Sequence, residues 1–446
     1  MSTKTTPIFL AIAIAIAFVV SSTHAQDQSA DHWPSFRGPH ANGSSATAKP
    51  PTEWSESKNV KWKVAVPGLG NGSPVVWGDR VFLVTAVPTE KKGEAAPQQN
   101  QRRGRRGRRR SSANMSEHEF KVMCLDRTSG KTIWEKTAVK YKPHEGHHGD
   151  GSYASASPVT DGKHVYAHFG SPGLYCYDME GELTWKRDDL GKMNMRGSFG
   201  EGASPTLHKD TLFVPWDHEG QSYLYSLDKT SGKTNWKTER DEPSNWVSPI
   251  VVKSGDKWVV AQGGQNKCRG YDYKSGEELW SWSGLTQRPC ASPVADDDVV
   301  VFSSSRGGAS MAALKFSAKG DLNENEGSQA WTLRKGTPDI ASPLLVDKNL
   351  YFVGGSTGAF TGVNIDSGKP LFETMRLPLR SVYSSPVAAD GHIFVTARDG
   401  RTVVLDKDQE VISNNKLDDG VDSTLALVGQ QIFIRGKKNL YCIEKE

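Results

Sequence analysis

Short apolar runs alternate with polar turns along most of the chain, and this pattern predicts β-strands joined by hairpins. Residues 122–125 and 174–177 are apolar or aromatic, and each run ends at an aspartate, Asp126 or Asp178. Runs of this kind, bounded by Asp, Ser and Gly, are typical of strands. We therefore expect an all-β chain.

The turns that follow these strands repeat one motif, which is most complete at Asp126, Ser129, Gly130 and Trp134. The Asp side chain can accept hydrogen bonds from backbone N–H groups of the turn, and the Gly supplies a positive φ. The Trp then opens the returning strand. Further copies run from Tyr177 to Trp185, from Leu227 to Trp236, from Tyr271 to Trp280 and, less completely, from Ile365 and Asp366 to Phe372.

A Trp on the outer strand of such a unit has nothing within that unit to bury it. Because a Trp can bury roughly 150 to 250 Å², it requires the surface of a neighbouring unit. We expect these side chains to lock successive sheets together, and the residues in this role are Trp62, Trp134, Trp185, Trp236, Trp280 and Trp331.

A second marker, a serine that is followed by proline in all copies but the last, precedes each unit. These anchor residues are Ser73, Ser157, Ser204, Ser248, Ser292, Ser342, Ser385 and Ser423. After a first interval of 84 residues, the spacings lie between 38 and 50. Tandem four-stranded units of about 40 to 50 residues are typical of a β-propeller. We predict eight blades.

The two ends of the chain predict how the ring closes. The last unit has no Trp strand after it, whereas Trp62 lies on a strand that no unit precedes. We expect this strand to complete the last blade beside Tyr441, which removes the free edges of the sheet. Residues 60–446 then form a single eight-bladed propeller domain.

The N-terminal residues predict export. Lys4, an apolar run at 8–20 and small residues up to Ala25 are typical of a secretory signal over residues 1–25. That run is too short to span a bilayer, and no later segment is apolar enough. We expect a mature chain without a transmembrane segment, in the periplasm or outside the cell, that begins with an irregular arm at 26–59.

A basic insert at 88–116 in the first blade accounts for most of the excess length of the first interval. Residues 90–110 carry a net charge of +7, while the whole chain carries +4, so the basic character is local. The insert is either a solvated loop or a contact for an anionic polymer or lipid surface, and we expect no nucleic acid. The arginines of this contact are Arg102, Arg103, Arg105, Arg106, Arg108, Arg109 and Arg110.

The connection after the first blade contains a group of histidines, His144, His147 and His148. Imidazoles at this spacing, with a carboxylate among them, can hold zinc or another divalent ion. The alternative is a polar surface loop, because glycines surround them and no strand fixes their geometry. In an up-and-down blade this loop and the basic insert emerge on the same face.

Polar residues that stand shortly before the anchor serines are expected at the mouth of the central channel. Glu201, Asn245 and Asp339 come from different blades, with Trp246 and Arg288 nearby. Such a set can bind a cation or carry out acid–base chemistry. A hydrated lining of the channel is the alternative.

These motifs resemble the pyrroloquinoline quinone (PQQ) repeat of eight-bladed quinoprotein alcohol dehydrogenases and of the outer-membrane assembly scaffold BamB. The resemblance covers residues 60–446. For the dehydrogenases it implies PQQ on a calcium ion, with Glu201, Asn245 and Trp246 as cofactor-binding residues and Asp339 and Arg288 as catalytic candidates. The chain has no adjacent pair of cysteines, which those enzymes carry. For the scaffold the resemblance implies protein binding across one face.

We expect a monomeric, non-catalytic binding protein of the BamB kind that uses no cofactor. Its partner is then an envelope protein or an anionic surface. The alternative is a PQQ- and calcium-dependent oxidoreductase that acts on alcohols or sugars. Cys124 and Cys176 occupy equivalent places on different blades, too far apart to bond, and we expect the five cysteines to be ordinary buried thiols.

Overall fold

Eight sheets surround a central channel in the part of the chain that the computed structural model describes, residues 32–89 and 115–446. The predicted eight-bladed β-propeller is confirmed. Within this part of the chain, the helical content is one 3-10 turn, Arg196–Ser198. The predicted signal at 1–25 and the arginines from Arg102 to Arg110 lie outside the described residues.

Blades 1 to 4 follow the chain from the inner strand to the outer strand. Blade 1 contains Val75–Trp77, Arg80–Pro88, His118–Asp126 and Thr132–Tyr141. Blade 2 contains Val159–Thr160, His164–His168, Leu174–Asp178 and Leu183–Arg187. Blade 3 contains Thr206–His208, Thr211–Trp216, Ser222–Asp228 and Thr234–Arg240. Blade 4 contains Ile250–Ser254, Lys257–Gln262, Cys268–Asp272 and Glu278–Trp282.

Blades 5 to 8 repeat this antiparallel order. Blade 5 contains Val294–Ala295, Val299–Ser304, Ser310–Lys315 and Gln329–Leu333. Blade 6 contains Leu344–Val346, Asn349–Val353, Ala359–Asn364 and Met375–Arg376. Blade 7 contains Val387–Ala389, His392–Thr396, Arg401–Leu405 and Val411–Lys416. Blade 8 contains Ala426–Val428, Gln431–Arg435, Asn439–Glu444 and the N-terminal strand Val60–Ala65.

The pairing of the first and last strands closes the ring as predicted. Val60–Ala65 runs antiparallel to Asn439–Glu444, with Trp62 opposite Cys442 and Lys63 opposite Tyr441. Two strands far apart in sequence therefore share one sheet, and the outer edge of Asn439–Glu444 is paired.

The repeated turn forms through its side chain and its glycine. Asp126 Oδ1 accepts hydrogen bonds from the backbone N–H and the hydroxyl of Ser129, at 2.7 and 2.6 Å, and Gly130 adopts a φ of +72°. In blade 6 the residue that accepts these bonds is Asn364, not Asp366, because the hydroxyl of Ser367 donates to Asn364 Oδ1 at 3.0 Å. The expected opening residue of this turn, Asp366, is therefore wrong by two positions, whereas Gly368 occupies the expected position with a φ of +66°.

Five of the six predicted tryptophans contact the following blade in one way. Each indole N–H donates to a backbone carbonyl in the tight turn of the next blade. The acceptor is the residue directly after the Asp or Asn that opens this turn, and the indole ring covers the glycine of the same turn. The pairs are Trp62 with Arg127, Trp134 with Met179, Trp185 with Lys229, Trp236 with Tyr273, and Trp331 with Ile365, at 2.5 to 3.0 Å.

Trp280 is the exception. Its ring covers Gly270 of its own blade and lies 6.4 Å from the ring of Phe302 in blade 5. Blade 5 replaces the tight turn with a longer segment, whose short strand Gly320–Asp321 pairs in parallel with the strand of Trp280. The indole therefore still reaches the next blade, but its N–H has no acceptor among the described residues.

The N-terminal arm lies next to the anchor serines, because Phe36 lines the same space as their side chains. His32–Trp33 pairs with Val75–Trp77 in blade 1, and Ser44–Ser45 pairs with Val387–Ala389 in blade 7. Between these points Arg37, which is buried, donates to the carbonyls of Pro343 and Pro386. Because Pro343 belongs to blade 6, the arm contacts blades 1, 6 and 7 beside the channel.

All five cysteines are free thiols, as their positions predict. Cys124 and Cys176 lie opposite Trp134 and Trp185, the equivalent positions of blades 1 and 2.

Candidate functional site

The anchor residues form a closed ring of hydrogen bonds around the channel. The backbone N–H of each anchor donates to the side-chain hydroxyl of the next anchor, at 2.8 to 3.1 Å. The ring runs through Ser73, Ser157, Ser204, Ser248, Ser292, Ser342, Ser385 and Thr424, and it returns to Ser73. Thr424, rather than the expected Ser423, completes the circle.

This ring lines a narrow well of about 220 Å³. Phe36 of the arm also lines the well, and all eight anchor side chains are buried. Sequence reasoning used these serines only as markers of strand starts. Their near-regular spacing could have predicted this ring of hydrogen bonds, because residues at equivalent positions of successive blades lie next to one another around the channel.

The well opens into a mouth of about 200 Å³. Aromatic side chains of Phe199, Trp246 and Tyr383 line this mouth together with Arg288 and Arg306. The indole N–H of Trp246 donates to the Gly200 carbonyl at 2.7 Å, so the loop of blade 3 fixes the ring.

Most carboxylates at the mouth are paired with arginines. Arg398 lies 2.9 Å from Asp150 and 2.6 Å from Asp422, and Arg306 lies 3.1 Å from Asp339. Burial alone would raise the pKa of Asp150, but the hydrogen bond and charge of Arg398 hold this pKa below its usual value. Asp150 is therefore charged near neutral pH, and all three carboxylates already have cationic partners.

Arg288 differs from the other two arginines, because no carboxylate of the described residues lies within ion-pair distance of it. Its guanidinium lies 5.6 Å from the centre of the Phe199 ring, and its backbone N–H donates to Gln265 Oε1 at 3.1 Å. It also has a φ of +55°, which is unfavourable for a residue with a Cβ. The mouth thus presents one unpaired cation among aromatic rings.

The predicted cofactor residues do not meet at the mouth. Trp246 and Arg288 line it, and Asp339 reaches it through Arg306. Glu201 and Asn245 line a separate narrow cavity next to Asp217.

The side chain of Asn245 already has partners. Its Nδ2 donates to Asp217 Oδ2 at 2.9 Å and to the Gly263 carbonyl at 2.7 Å, while its Oδ1 accepts from the Val247 N–H at 3.1 Å. Asp217 is itself paired with the buried Arg240 at 2.8 Å. Asn245 therefore braces a buried ion pair. Its carbonyl oxygen is not directed at the mouth, where a shared calcium ion would lie.

The three predicted histidines also separate. His144 comes together with Glu145 and Glu201, and one ligand atom from each lies within 4.8 Å of the others. The ring of His147 instead packs against Tyr153 at 4.6 Å, and His148 is exposed, 3.6 Å from Asp150. The expected set of three imidazoles is therefore not one cluster.

Glu201 carries the most perturbed carboxyl of this group. Burial raises its pKa to about 7, although the N–H and hydroxyl of Ser171 both donate to it, and the nearby Glu145 raises the pKa further. Burial also raises the pKa of Glu145.

The ends of the basic insert lie beside the histidine loop, on the mouth face. Thr89 donates its backbone N–H to the Glu117 carbonyl at 2.9 Å. The hydroxyl of Tyr153 contacts Met115 Sδ at 3.3 Å, and the rings of His118 and Tyr153 lie 4.9 Å apart. The described residues therefore agree with the expectation that the histidine loop and the basic insert emerge on the same face.

Within the described residues, no helix has both the length and the apolar character needed to cross a membrane.

Sequence comparison connects the repeats to known proteins. A family model described as outer membrane protein assembly factor BamB matches residues 118–315 and 315–412. A lanthanide-dependent methanol dehydrogenase of Methylorubrum extorquens is 27% identical over 139 residues, which are 28% of this chain and 22% of that enzyme. The match thus spans about a fifth of the enzyme's length.

Solved structures share the fold at low sequence identity. BamB from Moraxella catarrhalis is 14% identical with a TM-score of 0.52, over 72% of this chain and 91% of that one. A europium-containing methanol dehydrogenase is 11% identical with a TM-score of 0.62, over 92% and 90%. A quinohemoprotein alcohol dehydrogenase from Comamonas testosteroni is 10% identical with a TM-score of 0.60, over 95% and 82%.

Proposed function

The chain belongs to the PQQ-repeat propeller family described as outer membrane protein assembly factor BamB, and we propose that it is an exported, non-catalytic binding protein. Its partner is an envelope protein with an acidic segment, which binds at the mouth of the channel. The basic insert contributes to the same contact from the side.

The observation that supports this proposal is the unpaired cation at the mouth. Arg288 lies over the ring of Phe199 and lines the mouth together with Trp246, while the neighbouring arginines are paired with Asp150, Asp339 and Asp422. A carboxylate from a partner would form a charge-assisted hydrogen bond with Arg288, which contributes about 1.5 to 3 kcal/mol. The aromatic rings add apolar surface to the same contact.

The basic insert supports the same face as the binding face. Its two ends, Thr89 and Met115, lie next to the histidine loop on the mouth side. A local excess of +7 attracts acidic partners over about one Debye length, roughly 10 Å at 0.1 M salt. The insert would therefore increase the rate of association.

Retention on envelope fractions tests the proposal. We compare the full chain with a variant that lacks residues 90–114, with Arg288→Gln, and with Arg376→Gln, in which an exposed arginine on an outer strand serves as the matched control. The deletion and Arg288→Gln should lower retention, by roughly 10-fold for the point variant at low salt, and the difference from the parent should shrink as salt rises, because salt screens the charges that the variants lack. Arg376→Gln should behave like the parent.

Equal retention of all four proteins at every salt concentration contradicts the proposal. Digestion of the envelope fraction with protease before binding distinguishes the partners. Retention that survives digestion indicates a lipid or polysaccharide surface and contradicts a protein partner.

A quinoprotein oxidoreductase is the second candidate, because Trp246 offers a planar ring at the mouth beside Arg288 and near the carboxylate of Asp339. The residues that were expected to hold calcium with PQQ do not fit that role as a set. Glu201 and Asn245 line a different cavity, and the Asn245 side chain is used within the fold. We derive no catalytic step from this arrangement.

Dye reduction by the purified protein with PQQ and calcium, over a panel of alcohols and aldoses, tests the second candidate. Activity that disappears in Glu201→Ala and Asp339→Ala would replace the binding function with an enzymatic one. The binding proposal predicts no dye reduction above that of a boiled sample.

A further inference from the structure

Two loops of the mouth face bring an imidazole and two carboxyl groups together. His144 and Glu145 belong to the connection between blades 1 and 2, and Glu201 belongs to the connection between blades 2 and 3. Their ligand atoms lie within 4.8 Å of one another. A single ion of ordinary size can contact three atoms at such separations, because metal bonds to N and O are about 2.0 to 2.2 Å long.

The imidazole is already oriented by the fold. His144 Nε2 lies 2.8 Å from the Met193 carbonyl oxygen, so this nitrogen carries the proton and donates it. Nδ1 is then the unprotonated nitrogen, with a lone pair available for a ligand. A histidine that donates its other N–H to a backbone carbonyl is the usual arrangement of a metal-binding imidazole.

Both carboxyl groups are held in place by hydrogen bonds as well. Ser171 donates from its hydroxyl to Glu201 Oε1 at 2.6 Å and from its N–H to Glu201 Oε2. Met195 donates its N–H to Glu145 Oε1 at 2.9 Å, and Glu145 Oε2 accepts no hydrogen bond from the described residues. These contacts restrict the rotamers before any ion binds.

The charges of this cluster have no counterpart in the surrounding protein. Among the residues that the structure describes, neither Glu145 nor Glu201 forms an ion pair with Lys, Arg or His. The walls of their pocket are largely apolar, with Phe120, Phe169 and Tyr141 among them. Two carboxylates in such surroundings are unfavourable without a cation.

We propose that His144, Glu145 and Glu201 bind one divalent transition-metal ion of the zinc class. One nitrogen and two carboxylate oxygens favour Zn²⁺ over Ca²⁺ or Mg²⁺, which prefer all-oxygen sites. The adjoining pocket of about 20 Å³ holds one water molecule, which occupies the fourth position. This site is separate from the mouth and does not depend on the proposed binding function.

The ion would connect the two loops that it bridges. His144 lies in the loop that also contacts Met115 through Tyr153, and Glu201 directly follows Gly200, whose carbonyl holds Trp246. An ion at this site therefore fixes the loop beside the basic insert and the loop beside the mouth relative to each other. Three protein ligands and one exchangeable water are also typical of zinc sites that are open to substrate.

Calorimetric titration of the chelator-treated full-length protein tests the site. Zn²⁺ should bind with one ion per chain, and Ca²⁺ should bind at least 100-fold more weakly. Glu201→Gln and Glu145→Gln should each weaken Zn²⁺ binding by roughly 100-fold, because each removes a charged ligand. His147→Ala, a change in the same loop but outside the cluster, should leave it unchanged.

Zn²⁺ binding that is the same in Glu201→Gln as in the parent overturns the proposal, as does loss of binding only in His147→Ala. Crystals of the unmodified protein soaked in Zn²⁺ give a second measurement that needs no folded variant. An anomalous peak between His144 and Glu201 supports the site. A peak only at the exposed His148, or no peak at all, overturns it.

Discussion

His168 is a single residue whose surroundings determine its charge. Only 2% of its surface is exposed, and its ring packs against Trp216 at 5.8 Å. Its Nδ1 contacts the Ala203 carbonyl at 3.3 Å, and its Nε2 has no hydrogen-bond partner among the described residues. Burial lowers its pKa from 6.5 to about 4, so the imidazole is neutral in the folded protein at neutral pH.

This residue should make the protein less stable in acid. Between pH 6.5 and 4 the unfolded chain binds a proton at His168 that the folded protein does not bind. The contribution of the neutral His168 to the free energy of unfolding is therefore complete above pH 6.5 and is lost as the pH falls through 4. The full effect is about 3 kcal/mol. Urea unfolding at pH 7 and pH 4.5 should show a smaller acid loss for His168→Gln than for the parent. The exposed His148→Gln should lose as much as the parent, and equal losses in all three proteins contradict this account.

The sequence located the mouth residues only partly, and the reason is local loop conformation. Distance from the anchor serine correctly placed Trp246 and Arg288 near the channel, because the blades repeat. It could not show where each side chain points. Asn245 turns away because Asp217 and Gly263 offer hydrogen-bond partners from other loops, and no pattern in the sequence encodes that contact.

At the scale of the structural element, the tight turn and the tryptophan form one unit. A Cβ at Gly232 would lie 2.6 Å from the ring of Trp185, so a larger residue cannot occupy this position without displacing the indole. Gly232 also has a φ of +68°. The glycine is thus required both by the turn and by the packing of the preceding blade.

A pair of glycine substitutions separates these two requirements. Gly391 has a φ of +74° and no heavy atom within 4 Å of its Cβ position, so Gly391→Ala should cost only the strain of positive φ, about 1 kcal/mol. Gly232→Ala should cost about 3 kcal/mol or more, since it adds a clash with Trp185. Denaturant unfolding measures both, and equal costs contradict the docking role of the indole.

The motif predicted most elements but not the irregular blades. Blade 5 carries Gly320–Asp321 within a long segment in place of the tight turn, and Trp280 packs differently as a result. In blade 6 Asn364 replaces the expected aspartate. Asn can accept the same hydrogen bonds, so the geometry persists where the sequence pattern changes.

At the scale of the whole molecule, the ring depends on contacts between the two ends of the chain. Trp62 lies opposite Cys442, and its indole N–H donates to the Arg127 carbonyl of blade 1 at 3.0 Å. The arm also contacts the channel, because Phe36 lines it and Arg37 donates to carbonyls of blades 6 and 7. The spacing of the repeats predicted how the ring closes. The last blade lacked its outer strand, and the strand of Trp62 had no blade of its own.

Replacement of the closing tryptophan should be as harmful as replacement within the ring. Trp62→Ala and the internal Trp236→Ala each remove a largely buried indole and its hydrogen bond, at a cost of about 3 to 5 kcal/mol. Denaturant unfolding of the two variants compares them directly. A cost below about 1 kcal/mol for Trp62→Ala alone would show that the ring does not rely on this strand.

Photo-crosslinking in intact cells tests the binding function most directly. We place a photoreactive side chain at Gln287, which is exposed beside Arg288 on the mouth face, and at Asp256, which is exposed in a turn on the opposite face. The account predicts a discrete crosslinked envelope protein from position 287, weakened by Arg288→Gln, and none from position 256. Crosslinks from position 256 alone, or from both faces equally, would contradict a partner held at the mouth.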